Sequence, residues 1–116
     1  MFIQAFNGVF CEFMDQLTVI IPNDIQVTMA SSFCKGYIES HPDEIIGHFN
    51  EFVFPHRDLG RDALMDKMII LINEAPGGSS YSGKVEEAWG NCNGASRDVL
   101  MKYITTMVKL CEKAFQ

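Results

Sequence analysis

Apolar residues recur at steps of three and four along most of this chain, and that spacing marks one face of an α-helix. In the first segment the apolar positions are Phe2, Phe6, Val9, Phe10, Phe13, Leu17 and Ile20. This stripe predicts an amphipathic helix over 2–20, with polar residues on its other side. Pro22 ends the helix, because a proline pushes the residue before it out of the helical region.

Two further stripes follow. The second consists of Ile25, Met29, Phe33 and Tyr37, which recur every four residues. It predicts a helix over 24–39 that Asn23 or Asp24 can cap. The third predicts a helix over 43–53, with Pro42 and two acidic residues at its start and Pro55 after its end.

The second half of the chain contains a helical pattern over 61–74, although the apolar run at 68–72 also fits a buried strand. Helix is the favoured prediction there. A Gly/Ser-rich connection at 76–83 comes next, followed by a short helical piece at 85–89 that Gly90 ends. A last helix is predicted over 96–114, with Ser96 as its cap.

Together these patterns predict an all-α protein: a single compact domain over 1–116, built from five or six short helices. A length of 116 residues is typical of one domain. With 47% hydrophobic and 21% charged residues, the chain is apolar enough to bury a core and too weakly charged to be disordered.

Charge and hydropathy exclude several classes of function. Nine Lys and Arg against fifteen Asp and Glu give a net charge of −6, which would repel a nucleic-acid backbone. Uninterrupted apolar runs reach only about five residues, too few to span a bilayer. No Lys or Arg precedes Lys35, so we expect no secretory signal. The four cysteines form no C-x-x-C pair, and we interpret them as reduced cytosolic thiols.

The sharpest motif runs from Gly78 through Gly83 to Lys84 and fits the phosphate-binding pattern G-x-x-x-x-G-K. Its next position is Val85, where a phosphate-binding loop needs a Ser or Thr hydroxyl for magnesium. No strand ending in aspartate follows to supply a second metal ligand. A linker that happens to precede a lysine is the favoured interpretation, and a divergent nucleotide-phosphate-binding protein is the alternative.

One thiol is a candidate for reactivity. Cys92 precedes the start of the last predicted helix, where the positive end of the helix dipole would favour a thiolate. A thiol-dependent enzyme is therefore a third, remote class. No two cysteine or histidine residues have the spacing of zinc ligands, and we predict no metal site, no cofactor and no catalytic residues.

Nine Phe and seven Met are a large number of bulky, adaptable apolar residues for a chain of this length. We expect some of them to contact another protein, in an oligomer or a hetero-assembly. The interaction candidates are Phe2, Phe6, Tyr81 and Trp89. For Phe2 and Phe6 the competing interpretation is packing within the core, because the stripe of the first helix continues in register past them.

Two parts of the chain resemble small helical proteins encoded by large DNA viruses of algae and protists. The first part has Phe10, Phe13 and Leu17 leading into Ile-Ile-Pro-Asn-Asp at 20–24. The second has Trp89, a turn, and then Val-Leu-Met-Lys-Tyr-Ile at 99–104. The resemblance implies a non-enzymatic minor capsid or virion-associated protein. Its partners would be capsid proteins of the same virus, and its location the virion or the host cytoplasm.

Overall fold

A computed structural model describes residues 2–21, 24–74 and 82–115. Its six α-helices are α1 (Phe2–Ile20), α2 (Ile25–Ser40), α3 (Glu44–Phe52), α4 (Arg61–Glu74), α5 (Ser82–Asn91) and α6 (Gly94–Ala114). A 3₁₀ helix, Phe54–His56, lies between α3 and α4. None of the described residues forms a strand, so the predicted all-α fold is confirmed.

The core is organised around α1, which packs most extensively on α6 and also contacts α2 and α3. The stripe of α1 faces inward as its spacing predicts, and α6 contributes an inward stripe of its own. On α1 the buried apolar residues are Phe6, Phe10, Phe13, Met14 and Leu17, and on α6 they are Leu100, Ile104, Met107 and Cys111. Helix α4 packs against both α3 and α5, and its buried residues join the same apolar cluster.

The run at 68–72 is helical, as favoured. Met68, Leu71 and Ile72 are buried while Ile70 is exposed, which is the three-and-four spacing of one helix face. A buried strand would have needed a neighbouring strand for its backbone hydrogen bonds, and no described residue provides one.

The helix ends are partly as predicted. Asp24 caps α2, because its Oδ1 accepts a hydrogen bond from the Val27 backbone N–H at 3.2 Å. The prediction of Ser96 as the cap of α6 is wrong: the helix begins at Gly94, and the Asn93 side chain accepts a hydrogen bond from the Ser96 backbone N–H at 2.8 Å. Asn93 has extended backbone angles and can bond the third amide of the helix, as an N-cap residue does.

Helix α2 forms where its stripe predicts, but that stripe lies away from the core. Ile25, Met29 and Phe33 are 74%, 65% and 51% exposed. The buried side carries Val27, Ser31, Cys34 and Ile38, which are smaller on average than the residues of the exposed stripe. Small side chains let α2 lie close against α1, and this contact orients the bulky residues outward.

Candidate functional site

A cleft of about 560 Å³ lies where the end of α1, the start of α2, α5 and the start of α6 meet. It brings together Lys84 and Cys92, the residues that the sequence singles out for phosphate and thiol chemistry. Asp24 and Glu87 also line it. The chemical use of the cleft therefore depends on how these four side chains are paired.

Lys84 is held by a carboxylate. Its Nζ lies 2.7 Å from Oδ2 of Asp24, whose other oxygen caps α2. Counting one charge each for Asp24, Lys84 and Glu87, the cleft carries a net charge of −1, which disfavours a phosphate group.

The backbone around Lys84 also differs from that of a phosphate-binding loop. Gly83 and Lys84 are the second and third residues of α5, and the helix described before them is α4, where such a loop would follow a strand. Gly78 lies outside the described residues. Gly83 and Lys84 therefore begin a helix without the strand that this motif requires.

We therefore expect no measurable binding of ATP or GTP in the presence of magnesium, because Lys84 is neutralised and Val85 offers no hydroxyl to the metal. Isothermal titration calorimetry with each nucleotide tests this. Micromolar affinity that disappears in Lys84→Ala would contradict it.

Cys92 does not have the environment expected of a reactive thiolate. Partial burial raises the pKa of its thiol above the ordinary value, and the Arg97 guanidinium offsets only part of this rise. The Cys92 backbone N–H donates to the Trp89 carbonyl at 3.3 Å, so this residue continues the end of α5. A dipole-stabilised thiolate at Cys92 therefore has no support in this geometry, because Asn93 occupies the capping position of α6.

The other cysteines also lack the surroundings of a nucleophile or a metal ligand. None of the four cysteines forms a disulfide bond. Cys34 and Cys111 are buried in the core, and burial raises the pKa of Cys111 to about 11. Within the described ranges, no group of three or more His, Cys, Asp or Glu residues lies close enough to hold a metal ion.

Two of the four interaction candidates lie in the core. Phe6 is fully buried and meets the ring of Phe49 edge to face, with centroids 5.1 Å apart. Trp89 is 7% exposed, and its indole N–H donates to Asp62 at 3.1 Å. Neither side chain is available to a partner in this fold, so for Phe6 the core interpretation applies.

The remaining candidates are Phe2 and Tyr81. Phe2 is 39% exposed, and the Lys113 ammonium lies 5.7 Å from the centroid of its ring. It therefore sits at the edge of the fold, partly covered by α6. Tyr81 lies outside the described residues.

One apolar surface of the described residues was not assigned as an interaction site from the sequence. We call it the α2 outer face, and it consists of Ile25, Met29, Phe33 and Tyr37. Tyr37 is half-buried and stacks between two neighbours: the Phe33 ring centroid is 6.5 Å away and that of His41 is 4.4 Å away. The signal was present in the sequence, because α2 carries apolar residues on two opposite sides and only one side can face the core.

Comparison with known proteins found no matching family model, no matching curated protein and no matching solved structure. The function must therefore be argued from the cleft and the exposed surfaces. Among the helices that the structure describes, none is both long and apolar enough to cross a membrane.

Proposed function

We propose that this chain is a non-enzymatic helical protein that binds another protein through the α2 outer face. The observation that carries the proposal is the exposure of Ile25, Met29 and Phe33, each more than half accessible and one helical turn apart. Soluble monomers rarely expose contiguous apolar patches larger than a few hundred Å², and larger ones commonly mark interaction sites.

The composition of the α2 outer face suits a protein partner. Aromatic residues and methionine are enriched in protein interfaces, and charged residues are depleted from interface centres. Phe33, Met29 and Tyr37 match this pattern, and no charged side chain belongs to the face. Stacking of Phe33 on Tyr37 also restricts both rings before binding, which lowers the entropic cost of association.

The cleft supports an enzymatic function less well. Its lysine is paired with Asp24, and the pKa of its thiol is raised. A general base or nucleophile would need a group poised to react near neutral pH. No observation favours the nucleotide-phosphate alternative over binding of a protein.

A narrower form of the proposal is that the protein partner is a capsid protein and that the chain belongs to a virus particle. It rests on the resemblance alone, and the apolar residues that begin each of its two parts lie in the core. Phe10, Phe13, Leu17, Trp89 and Leu100 are all buried. The resemblance therefore bears on the fold rather than on the surface, and binding through the α2 outer face is the broader proposal.

The test is affinity purification of the tagged chain from cells that express it, with mass spectrometry of the captured proteins. The test variant is Met29→Ser with Phe33→Ser. Its matched control is Leu59→Ser with Ile70→Ser, which removes two exposed apolar side chains outside α2. We expect a partner that is captured by the wild type and the control and is lost with the test variant.

Circular dichroism must show that both variants are as helical as the wild type. Partners captured equally by all three chains would contradict the proposed role of the α2 outer face. Capsid proteins among the specific partners would support the narrower proposal.

A further inference from the structure

We propose that the cleft between α1, α2, α5 and α6 binds a small organic cation, namely an ammonium group that carries a short apolar body. This site is separate from the α2 outer face and does not depend on it. The volume of the cleft, about 560 Å³, lies within the range of about 300–1,000 Å³ that is usual for small-molecule sites. Such sites combine apolar walls with a few placed polar groups, and the cleft contains both.

One face of α5 supplies polar groups to the cleft. The α5 residues that line it lie three and four positions apart, which places them along one side of the helix. They are Lys84, Glu87, Ala88 and Asn91. Glu87 and Asn91 are one helical turn apart, and an ammonium group has three N–H donors. It can therefore donate to the carboxylate and to the amide oxygen together.

The ion pairing within the cleft leaves the charge of Glu87 uncompensated. Lys84 lies three residues before Glu87, a spacing at which the two side chains could pair. Instead, the Lys84 Nζ lies 2.7 Å from Oδ2 of Asp24. No side chain or backbone group among the described residues forms an ion pair or hydrogen bond with the Glu87 carboxylate. A bound monocation would bring the net charge of the cleft from −1 to zero.

The same surroundings disfavour other classes of ligand. An anion would be repelled by the uncompensated carboxylate. A divalent metal ion would need several oxygen ligands, and the described part of the chain offers no group of three His, Cys, Asp or Glu for it. Ile20 and Ile21, at the end of α1, are half-buried and line the cleft together with Ala88. Carbon atoms attached to the cation gain free energy by covering these side chains.

Titration of the full chain with hexylamine at neutral pH, followed by two-dimensional proton–nitrogen NMR, tests the inference. Hexylamine is protonated there, as the lysine side chain is. Hexanol and hexanoate have the same number of carbon atoms and are neutral and anionic. We expect saturable shifts of the amide signals around Glu87 and Asn91 with hexylamine, binding of hexanol that is weaker by about fivefold or more, and no measurable binding of hexanoate. Equal binding of hexylamine and hexanol, or shifts that do not saturate, would overturn the proposal.

The decisive variant is Glu87→Gln, which removes the charge and keeps the size of the side chain. Its matched control is Glu86→Gln, which removes the same charge from the neighbouring exposed residue that does not line the cleft. We expect Glu87→Gln to weaken hexylamine binding by about fivefold or more and Glu86→Gln to change it by less than about twofold. Equal effects of the two variants would overturn the site, because the amine would then respond only to the overall negative charge.

A second variant, Asp24→Asn, tests the part played by the Lys84 ion pair. Asparagine caps helices as well as aspartate does, so the start of α2 is kept while Lys84 loses its charged partner. Lys84 can then pair with Glu87, and we expect hexylamine binding to weaken as in Glu87→Gln. Adding Lys84→Met to Asp24→Asn removes the competing lysine and should restore binding. Unchanged binding in Asp24→Asn, or no recovery in the double variant, would overturn the proposal that the ion pair leaves Glu87 open to the cation.

Discussion

Replacing Phe6 by alanine is expected to lower the free energy of unfolding by about 3–5 kcal/mol, the usual cost of truncating a buried phenylalanine. Phe6 is fully buried, and its ring meets Phe49 edge to face, an arrangement that adds about 0.5–1.5 kcal/mol beyond area burial. Domains of this size are stable by only about 5–15 kcal/mol, so the variant should unfold at a much lower temperature. Thermal and urea unfolding followed by circular dichroism measure the loss.

The matched control is Phe2→Ala, one helical turn earlier on the same stripe. Phe2 is 39% exposed and gains a cation–π contact with Lys113, which is worth about 0.5–1 kcal/mol at an exposed site. We expect it to cost far less stability than Phe6→Ala. Similar losses for both variants would mean that α1 begins its core contacts at Phe2. A negligible loss for Phe6→Ala would contradict the placement of its ring in the core.

The contrast between Phe2 and Phe6 indicates what the sequence could predict. The spacing of apolar residues places both on one stripe of α1, and this is enough to predict the helix and its inward face. It does not tell where along the stripe the core begins, because that depends on which other helix covers each turn. In this fold Phe6 meets Phe49 of α3, whereas Phe2 is only partly covered beside Lys113 of α6.

In helix α2, the stripe of apolar residues predicts the helix correctly but does not predict which of its faces is buried. Both sides of α2 carry apolar residues at helical spacing, so the pattern predicts a helix whichever side is buried. The bulkier side, with Met29 and Phe33, has the greater burial energy, yet the smaller residues around Cys34 face α1. Close approach of two helices depends on side-chain size at the contact, which a stripe of hydrophobicity does not represent.

The cleft contains an interaction that sequence reasoning could not anticipate. Lys84 and Asp24 are sixty residues apart, and their ion pair forms only because α5 packs beside the start of α2. A motif such as G-x-x-x-x-G-K describes local chain geometry, whereas the charge available to a ligand depends on distant residues. The sequence alone therefore indicates a phosphate site as an alternative. The fold places the Asp24 carboxylate beside Lys84, and this carboxylate neutralises the charge that a phosphate would need.

Replacing Trp89 by alanine is expected to lower the free energy of unfolding by about 3–5 kcal/mol, because its side chain joins three helices. Its indole N–H donates to Asp62 of α4 at 3.1 Å. The Arg97 guanidinium of α6 lies 5.2 Å from its ring and donates to its backbone carbonyl at 3.0 Å. Trp89→Phe is the control: it keeps most of the apolar contact and loses the indole hydrogen bond, a net loss of about 0.5–1.5 kcal/mol.

The fluorescence of Trp89 also tests whether the second half of the chain unfolds together with the first half. Trp89 is the one tryptophan of the chain, so its fluorescence reports the docking of α5, while circular dichroism reports all helices together. Because Trp89 belongs to the same buried cluster as Phe6 and Met107, we expect both signals to change at one urea midpoint. A fluorescence transition well below the circular dichroism midpoint would mean that α5 detaches separately. In that case Trp89→Ala, which has no tryptophan fluorescence to follow, would leave the loss of helicity at its wild-type midpoint, and 1–116 would not behave as a single cooperative domain.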